Sequence, residues 1–173
     1  MSSIHVCPLS KLDETLKRSG AGWMISLSGP GKSPEQPEQI NRGYLALEFN
    51  DISEPREGLI PPSENDIKKL LNFIDSWRST EQSDPLLIHC WMGISRSTAA
   101  ALIAMAQINP RADPDQLAGK LRELSPVATP NPLMISIADS LLELDYRLVS
   151  AVAKIGRGQD AFEGVPFKME IDV

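Results

Sequence analysis

Apolar and polar positions alternate along this chain in two rhythms: short apolar runs that suit strands, and stripes spaced three to four residues apart that suit amphipathic helices. Ile4-His5-Val6 predicts a first short strand, and Leu9-Ser10-Lys11-Leu12 opens a helix running to Gly20, a residue that suits a helix C-terminus. Trp23 to Leu27 predicts a second strand and Tyr44 to Phe49 a third. Between them, Gly29 to Gln39 holds three prolines and reads as an exposed loop placed to border a cleft. Ser63 is an N-cap for a helix whose Ile67, Leu70, Leu71, Ile74 and Trp77 share one face.

Leu86-Leu87-Ile88, bounded by Pro85, predicts the next strand, and the alanine-rich run that follows predicts a helix from Ser95 to Ile108 that is apolar all round and therefore central. Asn109-Pro110 ends it. Asp113-Pro114 starts a further helix with Leu117, Leu121 and Leu124 on one stripe, closed by Ser125-Pro126. Asn131-Pro132 then opens a single long helix to Ile155, with Ile137, Leu141, Leu144, Leu148, Val152 and Ile155 as its buried stripe and Gly156 as its stop. This alternation predicts an α/β fold: a central, mainly parallel sheet flanked by helices, with ligands bound at the carboxyl end of a strand. At 173 residues the chain is expected to form one domain, 1–173, with 157–173 as a partly packed, extended C-terminal tail.

Candidate chemistry sits where the apolar strand meets the central helix, in His89-Cys90-Trp91-Met92-Gly93-Ile94-Ser95-Arg96-Ser97. A thiol and a guanidinium stand at the two ends of a short loop that opens onto a helix N-terminus. Unpaired amides and the positive end of the helix dipole favour a bound anion there, and equally the thiolate form of Cys90. Gly93 can take a positive φ and let the backbone curl round a tetrahedral oxyanion, to which Trp91, Met92, Ile94 and Ser95 contribute mainly their amides. Arg96 offers a planar fork that grips two phosphate oxygens at once. Ser97 is placed to donate its hydroxyl to Cys90 and stabilise the departing sulfur. His89, on the strand, is expected to point away from the thiol and orient the loop through hydrogen bonds.

The stretch resembles the His-Cys-x5-Arg-Ser/Thr signature of the cysteine-based protein tyrosine phosphatases, and most of all the compact dual-specificity branch and its bacterial relatives. The resemblance implies a phosphoric monoester hydrolase acting on phosphotyrosine, and by extension on phosphoserine and phosphothreonine, through a cysteinyl phosphate. It also implies that no metal or organic cofactor is needed, and that an aspartate on a separate loop after a strand serves as general acid. Asn50-Asp51-Ile52-Ser53-Glu54-Pro55 follows the third strand, which makes Asp51 the candidate acid and Glu54 its competitor. A turn-forming role for Asp51 is the alternative. Asn131 reads either as a helix cap or, less readily, as a residue that reaches the cleft.

Composition narrows the setting. Two cysteines, Cys7 and Cys90, do not make a disulfide framework in a chain of this size, so a reducing compartment is expected. A zinc site built from His5, Cys7, His89 and Cys90 lacks metal-ligand spacing, and no metal site is expected. Met1-Ser2-Ser3-Ile4-His5 has neither a basic segment nor an apolar stretch, and no apolar run approaches about 18 residues. A cytoplasmic protein with no membrane partner is therefore expected. A net charge of −6 argues against a nucleic-acid partner. Relatives directed at phosphoinositides tend to carry lysines inside the loop, and Trp91 to Ser95 contains none, so a phosphorylated protein side chain is favoured over a small phosphate monoester such as an inositol phosphate, phosphoinositide or nucleotide, the further alternative being a phosphate-binding module with negligible turnover.

Overall fold

The protein is described here by a computed structural model covering residues 3–80 and 84–172. Met1 and Ser2, used above to judge the N-terminus, and Val173 at the end of the tail lie outside the described residues. Strands β1 (Ser3–Pro8), β2 (Trp23–Ser28), β3 (Gly43–Glu48), β4 (Leu86–Cys90) and β5 (Phe167–Glu170) form one sheet in the order β3-β2-β4-β1-β5. The first four in that order are mutually parallel, and β5 joins β1 antiparallel, with Ile4 opposite Met169. A mainly parallel sheet flanked by helices is thus what the apolar rhythm predicted.

Alternation along the strands divides the core between two faces. Ile4, Val6, Ile25, Leu27, Leu86, Ile88 and Cys90 face the larger cluster, against α2 (Glu64–Arg78), α3 (Arg96–Ile108), α4 (Pro114–Leu124), α5 (Pro132–Leu141) and α6 (Arg147–Ile155). Cys7, Met24 and Leu87 face the smaller cluster, against α1 (Leu12–Ser19) and the short 3-10 turn Leu9–Lys11 before it. Cys7 and Cys90 therefore sit on opposite faces, and burial pushes the Cys7 thiol up to about 12, which leaves it an inert core group. The central helix α3 is buried from Arg96 to Ala106, its alanines allowing the sheet and α5 to approach closely.

Helix starts follow their sequence signals. Ser63 and Asp66 form a reciprocal capping box on α2, Asp113 caps α4, and Asn131 caps α5 by accepting from the amides of Leu133 and Met134. Gly20 closes α1 in the left-handed conformation, φ +65°. The single helix expected over 131–155 is instead two. Asp139, only 3% exposed, accepts from the amides of Tyr146, Leu148 and Val149, so its carboxylate serves the N-terminus of α6. Glu143, Asp145 and Tyr146 take positive φ to make the turn.

The C-terminal segment is extended and packed in part. Met169 and Ile171 are buried, Phe167 packs against the core and β5 covers the sheet edge beyond β1, whereas Phe162 is 82% exposed. The loop over 29–39 is held by Gly31 and Ser33 amides donating to Glu48 and by Tyr44 donating to the Pro34 carbonyl, and Ile40 beyond it is buried against the α1 side. Among the described residues no helix is long and apolar enough to cross a membrane.

Candidate functional site

Strand β4 lies between β1 and β2, and its carboxyl end runs directly into the loop Cys90–Arg96. The chain leaves β1 through α1 on one face and reaches β4 through α2 on the other, so the loop occupies the crevice where connections diverge. The loop's shape is set by where its carbonyls go. Trp91 O accepts from the Leu9 amide at 3.2 Å, Met92 O from the Gly164 amide at 2.8 Å, and Ile94 O from the Thr129 amide at 2.9 Å. Ser95 O accepts from the amides of Ala99 at 2.9 Å and Asn131 at 3.4 Å. With these carbonyls drawn outward, the peptide planes leave the loop's amides free to turn toward the thiol, and that of Gly93 donates to Cys90 Sγ at 3.2 Å. Gly93 has φ +67°, and a Cβ there would meet the Pro8 nitrogen at 2.6 Å, so position 93 is closed to a side chain by both conformation and space.

Cys90 Sγ also lies 3.1 Å from Ser97 Oγ, within hydrogen-bond reach of that hydroxyl. Arg96 is 7% exposed and donates from Nη1 to the Phe49 carbonyl at 2.9 Å, while its buried Nε has no partner among the described residues. The guanidinium is thereby aimed by one edge and keeps donors for an oxyanion on another. Trp91 stands 61% exposed at the rim.

Phe49 follows β3 and leads to Asp51, so Arg96 ties the Asp51 loop to the thiol-bearing one. The loop 51–59 is closed at its base by Asn50 N donating to Ile60 O and Ile60 N donating to Asn50 Oδ1, at 2.7 and 2.8 Å. Asp51 is brought to the thiol loop through one oxygen: Oδ1 accepts from Ser95 Oγ at 2.7 Å and from Asn131 Nδ2 at 2.8 Å. Glu54 is exposed and takes no part in this cluster. Asn131 thus serves as cap and site residue together, its Oδ1 receiving helix amides and its Nδ2 holding Asp51 and the Ile52 carbonyl.

Two expectations need correction. Ser95 contributes its hydroxyl as well as its backbone, and that hydroxyl is what the loop offers to Asp51. His89 does face away from the thiol, but among the described residues its ring nitrogens find no well-made hydrogen bond through which to orient the loop. Burial holds its pKa down to about 4, only partly offset by the neighbouring Cys90 backbone, and the ring is neutral. It fills space beside Cys7 and Ser26, its register partners on β1 and β2.

A cavity of about 360 Å³ adjoins the loop on the Asp51 side. Its walls come from the loop after β3, through Asp51 and Arg56, from Ile94 and Ser95, from Asn131, and from Arg157 and Asp160, so the C-terminal segment lines this cavity and the 29–39 loop does not. Gly158, Gly164 and Arg157 carry no sequence signal of proximity. A hint lies only in the two glycines: a Cβ on Gly164 would meet the Gly93 carbonyl oxygen at 2.5 Å, and one on Gly158 the Val127 carbonyl carbon at 2.4 Å.

No family model matches the chain, and no curated protein matches it by sequence. Solved structures do match by fold. DUSP15 is 18% identical with a TM-score of 0.61, covering 88% of this chain and 89% of that one. Human DUSP28 is 19% identical with a TM-score of 0.59, covering 82% and 88%. The Yvh1 phosphatase domain from Chaetomium thermophilum is 17% identical with a TM-score of 0.57, covering 84% and 93%. Across most of its length the chain therefore has the fold of the dual-specificity phosphatases.

Proposed function

We propose that this protein is a phosphatase that hydrolyses phosphotyrosine monoesters, with phosphoserine and phosphothreonine as slower substrates, through a cysteinyl-phosphate intermediate. The observation that carries the reading is the convergence of four groups at one loop: Cys90, Ser97, the buried Arg96 and Asp51, the last delivered from 44 positions earlier in the chain onto the Ser95 hydroxyl. In the first displacement the Cys90 thiolate attacks phosphorus in line. The loop amides and Arg96 hold the equatorial oxygens, and Asp51 protonates the departing phenolic oxygen. Because Asp51 Oδ1 accepts two hydrogen bonds, Oδ2 is the oxygen suited to carry that proton.

In the second displacement water attacks the phosphorus of the cysteinyl phosphate. Asp51 Oδ2 now takes the water's proton, and the Ser97 hydroxyl supports the sulfur as the S–P bond breaks. His89 takes no part, being neutral and on the other face of β4. No step calls for a metal or organic cofactor. The reading is tested by hydrolysis of an aryl phosphate. Wild-type protein is expected to release phosphate and Cys90→Ser to release none above background; substantial turnover by the variant would remove Cys90 from the mechanism.

A further inference from the structure

We propose that the cavity beside the thiol loop is a second anion subsite, in which Arg56 and Arg157 receive a phosphate or carboxylate group that the substrate carries in addition to the scissile phosphate. The proposal rests on the phosphatase reading and narrows its substrate class to phosphomonoesters bearing a second anionic group. The cavity shares Asp51 and Ser95 with the reacting cluster, so a substrate whose leaving oxygen meets Asp51 extends its remaining atoms into that space. About 360 Å³ is more room than a phenyl ring fills, and the walls are polar.

Positive charge is the unexpected element. The protein carries −6 overall, and the loop that grips the transferring phosphoryl group has one charged side chain, Arg96. Two more guanidiniums nevertheless converge on the adjoining cavity from separate segments, Arg56 from the acid-bearing loop and Arg157 from the segment after α6. Arg56 has no hydrogen-bond or ion-pair partner for its side chain among the described residues, while the pair of Arg157 with Asp160, at 2.7 Å, has both side chains more than three-quarters exposed. An ion pair so exposed is weak and is readily exchanged for a substrate anion. Of the two carboxylates on the wall, Asp160 pairs with Arg157 and Asp51 accepts from Ser95 and Asn131, so Arg56 is the cation with no ion-pair partner among the described residues. A planar guanidinium that can take two oxygens at once suits phosphate and carboxylate alike.

The test compares kcat/KM for two matched pairs: tyrosine phosphopeptides with flanking glutamates or glutamines, and an alkanediol bisphosphate against its monophosphate. Wild type is expected to favour the more anionic member of at least one pair by about tenfold, and the preference to shrink with added salt. A preference in the peptide pair identifies a protein as the source of the second anion, and one in the diol pair alone identifies a small molecule. Arg56→Gln and Arg157→Gln are each expected to reduce the ratio several-fold, and Arg111→Gln, on the remote α3–α4 turn, to leave it alone. Absence of preference in both pairs, or a preference that survives the double variant, overturns the subsite. Should wild type turn over neither pair, the catalytic reading fails by itself, and the subsite is read instead from protection of the Cys90 thiol against iodoacetate. Diphosphate protecting at lower concentration than phosphate, with the advantage lost in Arg56→Gln, upholds it; equal protection overturns it.

Discussion

The thiol-bearing loop and the acid-bearing loop meet through Ser95 on Asp51 and Arg96 on the Phe49 carbonyl, yet they are held in opposite ways. Residues 91–95 are fastened from outside: amides of Leu9, Gly164, Thr129 and Asn131, drawn from three distant segments, take their carbonyls. Residues 51–59 are fastened at their base through Asn50 and Ile60, and beyond it Asp51 rests on Ser95 and Asn131 with its side chain exposed. A group that must hold an oxyanion through two displacements gains from a fixed frame, because preorganised donors need no rearrangement as charge moves. A group that gives a proton and later takes one back needs correct aim but also freedom for its second oxygen. The difference between the loops thus follows the difference between the tasks proposed for them.

Substitutions that act on one loop and spare the other break or sharpen this contrast. The largest effect is expected from Asp51→Ala, which should slow turnover of an alkyl phosphate by about 10²–10⁴-fold and that of a nitrophenyl phosphate far less, since a good leaving group departs without a proton. Equal slowing for both would make Asp51 a scaffold residue. Beneath the rigid loop, His89 ties stability to pH. Its folded-state pKa is held near 4 against 6.5 for an ordinary histidine, so between those values the unfolded chain binds a proton that the folded chain refuses. Stability from this source is present in full above about pH 6.5 and is lost as pH falls toward 4, by up to about 3 kcal/mol. His5, also lowered by burial, adds in the same direction. Melting temperatures between pH 7 and 4.5 should therefore fall less in His89→Asn than in wild type; parallel falls would clear His89.

Gly164→Ala places a methyl group 2.5 Å from the Gly93 carbonyl oxygen and should displace the thiol loop without unfolding the sheet. We expect kcat to drop by about tenfold or more, since small misplacements of a reacting group can cost up to about 10²-fold. Unchanged kcat would show that the C-terminal segment only covers the loop. The smallest effect belongs to Asn131→Ser, which keeps an oxygen for the α5 cap but removes the donor to Asp51. A three- to tenfold loss of kcat at an unchanged melting temperature is expected, in line with about 0.5–1.5 kcal/mol for one hydrogen bond. A fall in melting temperature with kcat intact would restrict Asn131 to capping.

What was legible in the sequence is what is local. The strand, the nine-residue loop and the start of α3 are contiguous, and the spacing of Cys90, Gly93, Arg96 and Ser97 is itself the geometry. Helix starts at Ser63, Asp113 and Asn131 were legible for the same reason, each cap lying within three residues of the amides it serves. The placement of Asp51 was legible only through family resemblance. The contacts that aim it, from Ser95 and Asn131, span 44 and 80 positions and leave no local trace. The break between α5 and α6 was hidden because the apolar stripe keeps its helical spacing across it, while the cause is a single buried carboxylate, Asp139, serving three amides. In the C-terminal segment the phenylalanines were only half a guide: Phe167 packs on the core and Phe162 does not, while Met169, Ile171 and the two glycines supply contacts that leave no local pattern.

The account stands on Cys90 as the atom that receives the phosphoryl group. Acid quenching of wild-type and Asp51→Ala protein during turnover of an aryl phosphate, followed by mass spectrometry of the peptide containing Cys90, addresses that directly. We predict one phosphoryl group on Cys90, more abundant in Asp51→Ala because water is then activated poorly in the second step. Turnover without phosphate on Cys90, or with phosphate on another residue, would contradict the account.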